Sequence, residues 1–117
     1  MKAIIEVSAK GSIFNAVRGQ ISEAKQGHIP DFQLQFETAR TLFSELTPAR
    51  LDLLNTLRAM GAVTVYALAK LAKRNYSNVH ADIARLVELG LVERTGDDRV
   101  LVPFDAIEIH MLLAQAA

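Results

Sequence analysis

The chain has 117 residues, half of them hydrophobic, which suits one compact domain with a proper core and a small appended element. Lys and Arg balance Asp and Glu at a formal net charge of zero, so overall charge gives no argument for nucleic acid, and the absence of cysteine excludes disulfides and cysteine-based zinc sites. No apolar run is long enough to cross a membrane, and the short apolar stretch after Met1 contains Glu6 and no cleavage pattern, so a cytoplasmic protein without signal peptide or membrane partner is expected.

Lys2–Ser8 reads as a short β-strand, broken by Ala9-Lys-Gly-Ser. Ser12 caps an expected helix to about Gln26, with Ile13, Phe14, Val17, Ile21 and Ala24 inward. Gly19 weakens this helix and Gly27 ends it. It serves either as plain packing or as a dimerisation helix. His28-Ile-Pro-Asp is a turn. Phe32–Glu37 alternates strictly, with Phe32, Leu34 and Phe36 on one side of a strand. Thr38–Leu46 follows as a short helix anchored by Leu42, Phe43 and Leu46.

Thr47-Pro48 is a sharp helix start, threonine as cap and proline at the first helical position. This helix runs from Ala49 to Met60, with Leu51, Leu54, Leu57 and Arg58 near its two faces, and ends at Gly61. Thr64 caps the next helix, whose inward face is Val65, Leu68, Ala69 and Ala72. Lys73-Arg74-Asn75 interrupts the pattern as a tight turn. A further helix is expected from near Ser77 to Leu89, with Val79, Ile83, Leu86 and Leu89 inward and Val87 at the margin. Gly90 stands where a helix end needs positive φ. Leu91–Arg94 and Arg99–Val102 flank the turn Thr95-Gly-Asp-Asp and read as a β-hairpin. Pro103-Phe-Asp is a joint. In Ala106–Leu113, Ile107, Ile109 and Met111 alternate with Glu108, His110 and Leu112, which favours a strand over the alternative helix. As a strand it joins either Lys2–Ser8 or Phe32–Glu37.

Helix, turn, helix and hairpin in that order make a winged helix-turn-helix. The stretch Leu68-Ala-Lys-Leu-Ala…Val79…Ile83…Leu86…Leu89-Gly-Leu-Val resembles the winged-helix regulators of the MarR and ArsR type, and Leu-Thr-Pro-Ala-Arg-Leu-Asp-Leu-Leu resembles their supporting helix. One departure is Lys73, at a turn position where glycine is common. The expected fold is therefore α+β: a winged helix-turn-helix over residues 47–104, an added strand-helix-strand-helix element over 1–46 for dimerisation, and a C-terminal strand over 105–117 packing on it. The N-terminal strand and helix, the Phe-Gln-Leu-Gln-Phe strand and the closing Pro-Phe-Asp resemble a group of small predicted transcriptional regulators, some of them antitoxins of RelE/HigB-type toxins. That resemblance implies autoregulated repression and a toxin partner; the winged-helix resemblance implies a double-stranded DNA operator, and the strands in excess of the winged helix suggest a homodimer interface.

In the resemblance the second helix of the motif is the recognition helix, its N-terminal half entering the major groove. The residues left there outside the buried stripe are Tyr76, Ser77, Asn78, His80, Ala81, Asp82 and Arg85, with Asn78, Ala81, Asp82 and Arg85 recurring on one outward face. Asn pairs bidentately with adenine and Arg with guanine. Asp82 either accepts from cytosine, repels phosphate or pairs with Arg85. His80 reads as a surface or phosphate-contacting residue rather than a proton switch. Lys70, Lys73 and Arg74 give a stretch of cations without an acid, suited to phosphate. Arg94 and Arg99 flank the hairpin tip and suit a phosphate or the minor groove. Asp97 and Asp98 at that tip are either turn formers or a feature unfavourable to DNA. No nucleophile-elbow serine, phosphate cradle or metal-ligand spacing of His28, His80 and His110 is present, so neither catalysis nor a metal or cofactor is expected. Two other readings stand beside the regulator. One is a winged-helix protein-interaction module that never binds DNA. The other is a ligand-responsive repressor with a pocket between the N-terminal element and the winged helix, which no polar cluster marks.

Overall fold

The computed structural model describes residues 1–8 and 32–113, so the helix expected from Ser12 to Gln26 and the turn at His28 lie outside the described residues. The described residues are mixed α and β, with four helices and two small sheets. They divide into two compact units: Leu46–Asp105, and a second made of residues 1–8, 32–45 and 106–113.

In the second unit the apolar residues of β1 (Lys2–Val7) make it the middle strand of a three-stranded sheet. β2 (Phe32–Phe36) and β5 (Ala106–Met111) run parallel to it on either side. The favoured strand reading of the C-terminal stretch therefore holds, and its neighbour is β1 rather than β2. In the observed register Ile5 stands beside Leu34 on one side and Ile109 on the other. Registered neighbours in a sheet point to the same face, so the alternating residues of all three strands build one apolar face. Its centre, Ala3, Ile5 and Val7, is buried. α1 (Ala39–Glu45) packs against β2 and buries Leu42. Phe43, expected as an anchor, is exposed instead. Consecutive helix residues point about 100° apart, so turning Leu42 inward carries Phe43 off the buried face of this short helix.

The helical unit begins as its caps dictate. The Thr47 hydroxyl accepts the Arg50 amide at 3.2 Å, Pro48 fills the first turn, and α2 (Pro48–Met60) follows. Its buried face is Leu53, Leu54 and Leu57, and Leu51 is half-buried. Thr64 caps α3 (Val65–Ala72) by accepting the Ala67 amide at 3.1 Å, and Leu68 and Ala69 point into the core. α4 (Tyr76–Glu88) starts one residue before the expected Ser77, because Asn75 Oδ1 accepts the Asn78 amide and so acts as the cap. Val79, Ile83 and Leu86 are fully buried on its inner face.

The end of α4 explains a second difference. Gly90 takes φ 85°, and the Gly90 and Leu91 amides donate back to Val87 and Leu86. This is a Schellman closure. The Val92 amide also turns to Leu86, so Leu91 and Val92 finish the helix instead of opening a strand. Both are buried. The hairpin is correspondingly short, β3 (Glu93–Arg94) antiparallel to β4 (Val100–Leu101). Val63 bonds Val100 in both directions, at 3.1 and 2.8 Å, and pins the hairpin to the link between α2 and α3. Arg58 ties the end of α2 to the segment after the hairpin, donating to the Val102 carbonyl and to Asp105. Among the described residues no helix is long and apolar enough to cross a membrane.

Candidate nucleic-acid interface

The segment from α3 through the turn to the first two turns of α4 gathers most of the residues singled out in the sequence. The turn is unusual in one respect. Lys73 takes φ 56° and ψ 44°, the left-handed conformation that normally selects glycine, and its amide donates to Lys70. With the turn closed this way, Lys73 stays exposed, while Arg74 is drawn inward.

Here the reading of two residues is revised. Asp82 does not sit on the outer face and does not pair with Arg85. Its carboxylate lies between two guanidinium groups, with Arg50 Nε at 3.0 Å on one oxygen and Arg74 Nη2 at 2.9 Å on the other. The side chains of Arg50, Asp82 and Arg74 are only 20, 18 and 31% exposed. The helix period supplies the reason: at about 100° per residue Asp82 lies next to buried Leu86, just outside the arc of Leu86, Val79 and Ile83, at the border of the core. Arg74, expected as a phosphate contact, is thereby engaged in joining α2, the turn and α4. Its Nη1 is buried without a hydrogen-bond partner among the described residues. The same side chain lines a recess of about 210 Å³ with Ala49, Asp52, Leu53, Thr56 and Ala72.

The outer surface of α4 then consists of Ser77, Asn78 and Ala81, all exposed, followed by Arg85, whose Nη1 contacts Glu88 at 2.8 Å. Tyr76 and His80 lie on the flank toward α3. Their rings are 5.8 Å apart, and the Tyr76 ring is 6.4 Å from that of Tyr66 on α3. Lys70 Nζ stands 5.3 Å above the Tyr66 ring. Lys70, Tyr66, Tyr76 and His80 thus form a continuous exposed row across the two helices. Contacts of this kind contribute about 0.5–1 kcal/mol each at exposed positions. Tyr66 was not among the residues expected at this surface. Its signal was present: it lies four residues before Lys70 on one helix face and points away from Leu68.

On the hairpin, Arg94 is exposed. Arg99 is occupied, with Nε 3.3 Å from Asp97 and Nη1 donating to the Ala62 carbonyl. Asp97 also receives the Thr95 hydroxyl, and these partners hold its carboxyl below the usual carboxylate pKa, the Thr95 bond being the largest cause. Asp98, not Gly96, takes the positive φ of this turn, at 62°. Of the expected cations, Lys70, Lys73 and Arg94 have no acid partner among the described residues, whereas Arg74, Arg85 and Arg99 each do.

A family model described as HVO_A0114 matches residues 45–109, more than half of the chain. No curated protein matches, and no solved structure matches.

Proposed function

The chain belongs to the HVO_A0114 family, and we propose that it is a dimeric, sequence-specific DNA-binding regulator that represses its own transcription. In this reading Leu46–Asp105 is a winged helix-turn-helix, α4 the recognition helix and the β3–β4 hairpin the wing. The observation that carries it is the exposed start of α4. Ser77, Asn78 and Ala81 are free of the core there, and Lys70 and Lys73 beside them have no acid partner among the described residues.

The roles follow from the chemistry. Asn78 is the base reader, its amide suited to the N6 and N7 edge of adenine, and the Ala81 methyl suits a thymine methyl. Lys70, Lys73 and Arg94 neutralise phosphates, with Tyr76, Ser77 and His80 adding hydroxyl and ring N–H donors to the backbone. Arg50, Asp82 and Arg74 hold α4 at its angle without touching DNA. A two-fold dimer presents two such helices about 34 Å apart, matching a palindromic operator. The resemblance of the sequence to small predicted transcriptional regulators adds a RelE/HigB-like toxin as a second proposed partner, to be sought in the product of the neighbouring gene.

The test is binding to the chain's own upstream DNA against random duplex, across a salt series. Three such cations per protomer give about six phosphate contacts per dimer, so the logarithm of affinity should fall with the logarithm of salt at a slope of roughly −5. A specific preference with that slope supports the reading. The second reading, a protein-interaction module, is favoured by Asp97 and Asp98 at the hairpin tip, where carboxylates oppose a phosphate backbone. No binding even at low salt would move the conclusion to that module.

A further inference from the structure

We infer that the β5 edge is where two copies of this chain meet: β5 of one copy pairs antiparallel with β5 of the other, across a two-fold axis at Ile109, so that the two three-stranded sheets become one. This gives the dimer of the proposed regulator a specific interface, and it rests on that reading only for the dimer's purpose.

Four observations carry it. Among the described residues β5 is an edge strand, with β1 on one side only. The Leu112 amide donates to the Val7 carbonyl at 3.0 Å, so even-numbered residues turn their backbone groups toward β1. By alternation the N–H and C=O of Ile107, Ile109 and Met111 face the open edge. Next, the apolar face of the sheet is covered at its centre and uncovered at this edge: Ile5 is 0% exposed, its neighbour Ile109 is 40% exposed and Met111 is 53% exposed. Third, the apolar face of this edge is unprotected, the one acid of the strand, Glu108, standing on the other face beside Lys2 at 3.1 Å. β5 has no lysine, no proline and no charge on its apolar face.

The fourth observation selects a second copy and a register. With Ile109 opposite its own counterpart, Ile107 meets Met111, and Glu108 meets His110, each twice by symmetry. Glu108 and His110 lie together on the opposite face of the strand, both partly exposed, their side chains 3.6 Å apart within one copy. Moving the axis by half a step, to Glu108 or to His110, would set like side chains against each other, which is destabilising when they are charged. The register centred on Ile109 is the self-complementary one, and it places residues with outward backbone groups in mutually hydrogen-bonded pairs.

The chain has no cysteine, which makes the test direct. Two Ile109→Cys side chains would face each other across Cα atoms about 5.5 Å apart, within disulfide reach. Two Met111→Cys side chains would be roughly 13 Å apart along the strands and out of reach. Under mild oxidation of the full chain, Ile109→Cys should form a covalent dimer and Met111→Cys should not. Sedimentation should show the native chain as a dimer at micromolar concentration, and His110→Glu, with unchanged circular dichroism, should raise its dissociation constant roughly tenfold by opposing carboxylates. A monomeric native chain overturns the inference, as does a dimer in which Ile109→Cys stays uncrosslinked or Met111→Cys links equally well. DNA affinity measured on the same samples separates the two claims. A β5 dimer that ignores DNA would sink the regulator alone, and a DNA-binding dimer joined elsewhere would sink only this interface.

Discussion

Replacing Asp82 with alanine removes the carboxylate that Arg50 and Arg74 share. Two ion pairs, at 3.0 and 2.9 Å, are lost together. Exposed pairs contribute about 0–1 kcal/mol, and breaking a fully buried pair costs about 3–5 kcal/mol because a charge is left behind. At 18–31% side-chain exposure this cluster lies between those limits. Its two cations would then face each other around the vacated position, so the expected loss is about 2–3 kcal/mol. In urea that lowers the unfolding midpoint by roughly 1–2 M for a small protein, with the slope unchanged. Asp82→Asn keeps an acceptor and should lose about half as much, while Asp52→Asn at an exposed position should stay within about 0.5 kcal/mol. The decisive measurement is a double-mutant cycle of Asp82→Ala with Arg50→Ala, followed by urea titration. A coupling energy near zero, or an Asp82→Ala loss below about 0.5 kcal/mol, would show that these charges are solvated and do not position α4.

Three further outcomes are expected. Lys73→Gly should relieve a left-handed lysine and stabilise the fold by about 0.5–1 kcal/mol. The same change should reduce the magnitude of the salt slope of DNA binding by about 2 per dimer, one for each copy, whereas Arg74→Ala should leave that slope unchanged. A flattened slope for Arg74→Ala would return it to the phosphate contacts. Asn78→Ala should cost about 1–3 kcal/mol at one operator base pair; equal losses on operator and random duplex would remove its role as a base reader. Thr95→Val should raise the Asp97 pKa toward the ordinary carboxylate value, as followed by carbon-detected NMR titration. The sign follows from the lowered folded-state pKa. Whatever Asp97 contributes is present at neutral pH and fades as pH falls through its folded pKa. An unshifted Asp97 in Thr95→Val would mean that its backbone hydrogen bond and Arg99, not Thr95, hold it charged.

The local features were readable because their causes are local. Thr47 with Pro48, Thr64, and the Leu86–Gly90 closure depend on residues within five positions, and each one ends or starts a helix as its side chain or missing Cβ requires. The apolar stripe of α4 was legible for the same reason, since Val79, Ile83 and Leu86 follow one helix period. Small offsets came from competition within the backbone. Asn75 outcompeted the expected start at Ser77 by offering a cap, and Leu86 claimed the amides that Leu91 and Val92 would have needed for a strand.

The candidate site divides along the same line. Asn78, Ala81, Lys70 and Lys73 are exposed as the spacing suggests, because solvent needs no partner to receive them. Which cations are occupied was not legible: Arg74 lies in the turn and Asp82 at the margin of its helix's buried face, and only packing brings Arg50, 32 positions before Asp82, to the other carboxylate oxygen. The pairing of β1 with β5 likewise joins residues about a hundred positions apart, so alternation identifies the strands but not their neighbours. By itself, then, the sequence determined where helices start and stop and which faces are apolar, since those follow from short-range geometry. Only the tertiary structure decided which charges are spent on the fold and which strand edge is left open, because both depend on groups that meet through space after the chain has closed.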